Sequence, residues 1–199
     1  MVPVLTKWMP ALVPDTSNES ISIGNQIIIE LLMIETVKVY AKRFFGRPDE
    51  AAKAKKDKYS LVYKQVEALV EGEDDTIANM SNIAALLHTT FGFWWTGFYI
   101  VRGDELVLGP FQGPVACSRI PFGRGVCGTS WQRKESIVVP DVEKFPGHIA
   151  CSSQSRSEIV VPIFRGEEVI AVLDIDSREL NAFDDIDRES LEKIAKKVR

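Results

Sequence analysis

The spacing of hydrophobic residues changes twice along the chain. Apolar residues recur every three or four positions over 59–70 and 77–87, which predicts two amphipathic helices. From Trp95 onward, short segments rich in aromatic and β-branched residues are typical of strands. The predicted strands cover 95–101, 106–110, 136–140, 158–164 and 168–175. A helical period returns over 184–198, and the glycine-rich stretch 123–131 predicts a short helix between strands.

Turn residues indicate how these segments pair. Arg102-Gly103-Asp104-Glu105 predicts a hairpin between the first two strands, and Arg165-Gly166-Glu167 predicts another between the last two. Because hairpins join antiparallel neighbours, we expect a central antiparallel sheet flanked by helices, which is the α+β class. Asp74-Asp75-Thr76 predicts an N-cap for the second helix.

The first 56 residues differ in character from the rest. Prolines at 3, 10 and 14 predict an extended leader, and 27–45 predicts a helix that ends at Gly46-Arg47-Pro48-Asp49. The lysine-rich segment 51–58 is interpreted either as a linker or as a solvated first helical turn. We therefore predict an N-terminal extension of unknown role over 1–56 and a separate domain over 57–199.

Composition and charge exclude several classes of function. Of 199 residues, 45% are hydrophobic and 26% charged, with a net charge of -4, and no lysine- or arginine-rich stripe predicts nucleic-acid binding. The longest apolar run, 27–34, contains Glu30 and is far shorter than the roughly 20 residues of a membrane-spanning helix. The N-terminus lacks the pattern of a signal peptide. Three cysteines without an export signal favour a reducing compartment, so we expect a cytoplasmic protein.

The three cysteines are the first candidates for chemistry. Cys117, Cys127 and Cys151 are separated by 10 and 24 residues, so no pair has the spacing of a zinc knuckle or a thioredoxin-type motif. A metal pair of His148 and Cys151 is conceivable but weakly supported, and we expect neither metal nor cofactor. Each cysteine lies in a polar or glycine-rich turn, which predicts an exposed thiol with a redox role. The alternative is three unrelated buried thiols.

Acidic and aromatic residues form a second group of candidates. Asp174 and Asp176 are two apart on a predicted strand and share one face, as Trp95 and Tyr99 do on another. Glu158 opens the strand expected beside the aspartates. In a cavity, such carboxylates would bind an ammonium group or hold a proton against mutual repulsion. The alternatives are a hydrated strand face for the acids and ordinary core packing for the aromatic residues.

Several motifs together resemble one known family. They are Trp95-Thr96-Gly97-Phe98-Tyr99, Gly109-Pro110-Phe111-Gln112-Gly113, Gly123-Arg124-Gly125-Val126-Cys127-Gly128, Val139-Pro140-Asp141-Val142, His148-Ile149-Ala150-Cys151, Ser157-Glu158-Ile159-Val160-Val161-Pro162 and Leu173-Asp174-Ile175-Asp176-Ser177. Over 59–199 the sequence resembles the free methionine-R-sulfoxide reductases, which use a GAF fold. The cysteine spacing is the most specific part of the resemblance. Residues 1–56 have no recognised counterpart, so 57–199 is expected to be a GAF-type catalytic domain.

The resemblance implies a thiol mechanism. Cys151 would attack the sulfoxide sulfur of free L-methionine-(R)-sulfoxide and become a sulfenic acid, which a second thiol converts into a disulfide. Cys117 is the expected resolving residue, with Cys127 as a second or alternative partner, and a thioredoxin-like dithiol would restore the enzyme. Cys127 lies at a predicted helix start, where the local field favours a thiolate. We nevertheless favour Cys151 as the attacking residue, because it adjoins the strand that carries Glu158.

The resemblance also assigns the remaining candidates. Glu158, Asp174 and Asp176 match the family's carboxylate cluster, and Trp95 and Tyr99 match the aromatic residues of its substrate cage. The alternative function is a non-enzymatic GAF module that binds a small ligand or senses redox state. A sensor is expected to pass its signal to an output domain, and the chain has only about 56 residues besides the module. A homodimer is compatible with the sequence but not required by it.

Overall fold

The computed structural model describes residues 48–149 and 153–198, which contain four α-helices and six strands. The helices are α1 (Pro48–Val70), α2 (Thr76–Phe91), α3 (Gly125–Arg133) and α4 (Asp185–Ala195). The strands are β1 (Trp95–Arg102), β2 (Glu105–Gln112), β3 (Arg119–Pro121), β4 (Ile137–Val139), β5 (Ser157–Arg165) and β6 (Glu168–Ser177), with a 3₁₀ helix at Val142–Lys144. The predicted leader and the predicted helix over 27–45 lie outside the described residues.

The strands form one sheet in the order β3-β2-β1-β6-β5-β4, in which every neighbouring pair is antiparallel. Both predicted hairpins are present, and the α+β class with a central antiparallel sheet flanked by helices is confirmed. Strands β1 and β6 occupy the middle of the sheet, where both faces are covered. The sequence did not predict β3 or the 3₁₀ helix, because three residues are too few to establish a period.

The two faces of the sheet carry separate hydrophobic clusters. Helices α1, α2 and α4 pack on one face against residues such as Phe98, Leu173 and Ile175. Helix α3 and the connecting loops cover the other face, which includes Trp95 and Tyr99. Because side chains alternate along a strand, neighbouring residues of one strand contribute to different clusters. We call these surfaces the helix face and the loop face.

Hydrogen bonds at helix ends and between helices hold the helix face in place. The Asp75 side chain accepts a hydrogen bond from the Ala78 N–H at 2.8 Å, which confirms the predicted N-cap of α2. Asp187 belongs to the capping box of α4 and accepts a hydrogen bond from the Tyr59 hydroxyl at 2.8 Å. Lys55 forms an ion pair with the same carboxylate. These contacts join α1 to α4.

Helix α1 also bears on the interpretation of the lysine-rich segment. The helix begins at Pro48 and continues through 51–58, so the helical reading of that segment is confirmed and the linker reading is wrong. A compact unit begins at Ala51, and residue 57 lies inside the helix. The functional boundary between extension and domain stays a prediction. Among the described residues, we find no helix that combines the length and apolar character needed to cross a lipid bilayer.

Candidate active site

The loop face contains a cavity whose floor is built by β1, β6 and β5. Asp176 on β6 is directly opposite Trp95 on β1 and Glu158 on β5. Two residues along β6, Asp174 lies between Gly97 and Val160. The cavity is lined by Trp95, Tyr99, Val115, Ala116, Ile120, Gly125, Val126, Cys127, His148, Ile149, Ser155, Glu158, Asp174 and Asp176. The cavity therefore brings together six of the eight candidates that the sequence singled out, five from the strands and Cys127 from α3.

The carboxylates are withdrawn from solvent. Glu158 and Asp174 are each only 6% exposed, and Asp174 Oδ1 is buried without a hydrogen-bond partner among the described residues. The hydrated-strand alternative is therefore wrong for these two acids. Ligand atoms of Cys127, Glu158 and Asp174 lie within 4.8 Å of one another, which is close enough to hold a metal ion. The sequence, however, has none of the ligand spacings typical of structural metal sites.

Burial and mutual repulsion change the proton affinity of the cluster. Burial, followed by the charges of neighbouring aspartates, raises the pKa of Glu158 and of Asp174 well above the usual carboxyl range. Burial raises the pKa of Asp176 to about 6, although a hydrogen bond with Ser155 opposes the shift. Glu158 and Asp174 therefore keep their protons to a higher pH than exposed carboxyl groups do, whereas Asp176 is mostly ionised at neutral pH.

Cys127 differs from the sequence-based expectation. It is the third residue of α3, as predicted, but it is only 3% exposed, and its thiol donates a hydrogen bond to Glu158 Oε1 at 3.9 Å. Burial and the charges of Asp174 and Glu158 raise the pKa of this thiol well above its usual value. The expectations of an exposed thiol and of a thiolate favoured by the helix start are therefore wrong. A helix terminus typically contributes only about 0.3–1 kcal/mol, and loss of solvation exceeds this.

Glycine at position 128 explains how α3 buries this thiol. A Cβ atom there would lie 2.5 Å from the carbonyl oxygen of Pro121, so only glycine permits this close approach to β3. The adjacent Cys127 is thereby held against the strands that carry the acids.

Cys117 lies in the segment 113–118, which connects β2 to β3 without regular secondary structure. The residue is half-buried, and it is disulfide-bonded, whereas Cys127 is free. Two side chains from β1 donate hydrogen bonds to the backbone of this segment: Tyr99 Oη to the Cys117 carbonyl at 3.0 Å, and Trp95 Nε1 to the Pro114 carbonyl at 3.1 Å. Cys151 lies outside the described residues.

Aromatic rings form one wall of the cavity. Trp95 stacks on Tyr99 with ring centroids 5.9 Å apart and on Phe111 at 5.4 Å. A Cβ atom at Gly97 would lie 2.4 Å from the Trp95 ring, so the missing side chain leaves the space that the indole occupies. Trp95 and Tyr99 are both buried in the loop-face core and line the cavity, so core packing and a cage role are compatible.

Sequence reasoning did not identify two polar residues of the cavity. Ser155 is 7% exposed and interacts with Asp176, but contacts between a loop and a strand leave no local pattern. His148 was considered only as a metal ligand. It lines the cavity, and burial lowers the pKa of its imidazole, which is therefore neutral at pH 7. The sequence signal for His148 was its place in the motif His148-Ile149-Ala150-Cys151, which is part of the family resemblance but assigned the histidine no role.

The chain is similar in sequence to known proteins. Residues 75–199 match the GAF domain family, which confirms the predicted fold type. The chain is 54% identical over 144 residues to GAF domain-containing protein A of Dictyostelium discoideum, covering 72% of this chain and 91% of that protein. It is 44% identical over 137 residues to the free methionine-R-sulfoxide reductase of Escherichia coli strain K12, covering 68% of this chain and 83% of that protein.

The chain is also similar to a solved structure. The chain superposes on the free methionine-R-sulfoxide reductase of Neisseria meningitidis, determined in complex with its substrate, with a TM-score of 0.69 and 54% identity. The superposition covers 70% of this chain and 85% of that one.

Proposed function

The chain belongs to the GAF-domain family of free methionine-R-sulfoxide reductases, and from that premise we propose that it reduces free L-methionine-(R)-sulfoxide to methionine. The observation that carries the proposal is the group of buried acids beneath an aromatic wall, beside a disulfide-bonded loop. Such a site can protonate a sulfoxide oxygen, hold an amino acid and store two electrons in thiols.

The first chemical step is assigned to Cys151. Its thiolate attacks the sulfoxide sulfur, the sulfur–oxygen bond of the substrate breaks, and the oxygen ends on the cysteine as a sulfenic acid. Methionine leaves reduced by two electrons, and the Cys151 sulfur is oxidised by two. Cys127 is the weaker candidate for this step, because burial and the neighbouring carboxylates raise the pKa of its thiol and keep it protonated.

The three carboxyl groups have two different proposed roles. The raised pKa values of Glu158 and Asp174 make these two groups the candidates to protonate the sulfoxide oxygen as it leaves the substrate sulfur. Asp176, whose pKa is about 6, is mostly ionised and can pair with the substrate's ammonium group. A peptide-bound methionine lacks that ammonium group, so this arrangement favours the free amino acid.

The second step forms a disulfide. The Cys117 thiol attacks the sulfenic sulfur of Cys151, water leaves, and a sulfur–sulfur bond forms. The disulfide at Cys117 and the free, buried state of Cys127 support Cys117 as the resolving residue. A dithiol of the thioredoxin type then reduces the disulfide and returns both thiols.

The test is turnover of the two substrate epimers by the purified protein with excess dithiol. We expect methionine from the free R epimer and at most a few per cent of that rate from the S epimer, because a rigid chiral cavity presents only one sulfoxide face to the thiol. Equal rates on both epimers would contradict the assignment. Binding of the R epimer without turnover would favour the small-ligand sensor instead.

A further inference from the structure

We infer that Tyr99 is a positioning residue for the resolving step, because its hydroxyl holds the backbone of Cys117, the proposed resolving residue. The inference rests on the proposed function. Tyr99 already lines the cavity, and the inference gives its hydroxyl oxygen a separate role.

The contact is direct. The Tyr99 hydroxyl donates to the carbonyl oxygen of Cys117 itself at 3.0 Å. Tyr99 is 1% exposed and sits on β1, in the middle of the sheet, so the donor is rigidly placed. Burial, followed by the charges of Asp174 and its neighbours, raises the pKa of the Tyr99 hydroxyl, which therefore remains a donor at every working pH.

The segment that receives this hydrogen bond is irregular. Residues 113–118 have no helix or strand structure, and Val115 at their centre is 87% exposed. Tyr99 binds the segment at Cys117, Trp95 binds it at Pro114, and the Leu108 N–H donates to the Ser118 carbonyl at 3.0 Å. The two side-chain hydrogen bonds from β1 therefore act together with the packing of Cys117 on the loop face to hold this residue in place.

Position matters most in the step that closes the disulfide. Cysteine pairs form a bond only when their Cα atoms are within about 4.4–6.8 Å and their Cβ atoms are oriented towards each other. Holding two reacting groups in such a geometry raises their effective concentration by orders of magnitude, and a misplacement of about 1 Å can cost a large part of that gain. Attack on the substrate uses no atom of Cys117, so loosening this segment should slow the later step more than the first.

The experiment is a single turnover of the reduced full-length Tyr99→Phe variant with R-sulfoxide. Methionine released, sulfenic acid trapped with dimedone, and disulfide formed are each followed by mass spectrometry. We expect disulfide formation to slow by about tenfold, which is the usual upper effect of one hydrogen bond, and trapped sulfenic acid to rise. Because Tyr99 also lines the cavity, the deciding quantity is the disulfide formed per methionine released, which should fall by about tenfold.

Tyr59→Phe is the matched control. It also removes one buried tyrosine hydroxyl hydrogen bond, to Asp187, but on the helix face. We expect both variants to lose comparable thermal stability, and only Tyr99→Phe to accumulate sulfenic acid. Equal accumulation in the two variants would show a general loss of stability and overturn the inference.

The Cys117→Ser background separates positioning from substrate binding. There the resolving thiol is absent, so any change in methionine release on adding Tyr99→Phe measures the effect of that substitution on the first step alone. If this effect on the first step accounts for the whole loss of disulfide in the Tyr99→Phe protein, the hydroxyl acts on the substrate and the inference is wrong. If the wild-type protein releases no methionine at all, the proposed function itself has failed, which is a different result.

Discussion

The helix face and the loop face of the sheet are built from alternate residues of the same strands, yet they differ in what they bury. Leu173 and Ile175 on β6 pack beneath the helices and are 0% exposed. Asp174, between them, points to the other face and is nearly as buried, with an oxygen that lacks a hydrogen-bond partner among the described residues. Burying apolar carbon stabilises a fold, whereas burying carboxyl groups destabilises it. The comparison indicates that burial on the helix face stabilises the fold, whereas the buried acids of the candidate site on the loop face lower its stability.

The largest expected effect concerns the thiol assigned to attack. Cys151→Ser should lower turnover at least about a thousandfold even with excess dithiothreitol, because no other thiol can make the sulfenic acid. The measurement is methionine released from the free R epimer. Cys127→Ser, in which the thiol is replaced by a hydroxyl of similar size, is the comparison and should retain turnover. The opposite pattern would exchange the roles of the two cysteines.

Leu173→Ala tests the helix face. A fully buried leucine is expected to contribute about 2–5 kcal/mol to the free energy of unfolding, which lowers the melting temperature by roughly 5–15 °C. Below that temperature kcat/KM should stay within about threefold of the wild-type value. A large loss of kcat/KM in the folded variant would show that the two faces are not functionally separate.

Glu158→Gln tests the loop face with a nearly isosteric change. We expect kcat/KM to fall by about ten- to a hundredfold, because a buried charged or proton-donating contact is worth about 1.5–3 kcal/mol. N-acetyl-methionine-R-sulfoxide should be a similarly poor substrate for the wild-type protein, since acetylation removes the ammonium charge. Normal kinetics in the variant, together with efficient use of the acetylated compound, would remove support for the carboxylate site.

The free energy of unfolding should depend on pH, because folding buries ionisable carboxyl groups. The Asp176 pKa is raised from 3.8 to about 6, so between these values the folded protein binds more protons than the unfolded chain. The contribution of Asp176 to stability should therefore fall as pH rises from about 4 to 6, and the raised pKa values of Glu158 and Asp174 should extend the fall in stability to higher pH. Asp176→Asn lacks this loss and should be about 1–3 kcal/mol more stable than the wild type at pH 8, with the difference shrinking towards pH 4. Denaturant unfolding of both proteins across this range is the measurement, and a pH-independent difference would contradict the assigned shift.

The smallest effect is expected from the N-terminal extension. Deleting 1–47 should leave kcat/KM within about twofold, because every candidate site residue lies beyond the cut. Deleting 1–56 also removes the first turns of α1 and the Lys55–Asp187 ion pair, so that variant should melt several degrees lower while keeping its chemistry. A folded but inactive 1–47 deletion would place part of the extension in the site.

Helices, hairpins and a helix cap could be predicted from the sequence, because the interactions that form them join residues close together in the chain. Helical spacing marked α2 and α4, glycine turns marked the hairpins, and Asp75 marked a helix start. The two-residue period of a strand also placed Asp174 with Asp176, and Trp95 with Tyr99, on common faces. The motifs that resemble free methionine-R-sulfoxide reductases identified the family, which the comparisons confirm.

The properties that decide the chemistry were set only by tertiary structure. Strand register placed Asp176 opposite Trp95, and no local pattern records a pairing between β1 and β6, which are far apart in the chain. Cys127 was expected to be exposed, but α3 packs it against carboxylates from β5 and β6, and burial reverses the direction of its pKa shift. The hydrogen bond from Tyr99 to Cys117 likewise joins a strand to a separate loop. Spacing along the chain determines which face a residue occupies, whereas solvation and charge at that face depend on the elements packed against it.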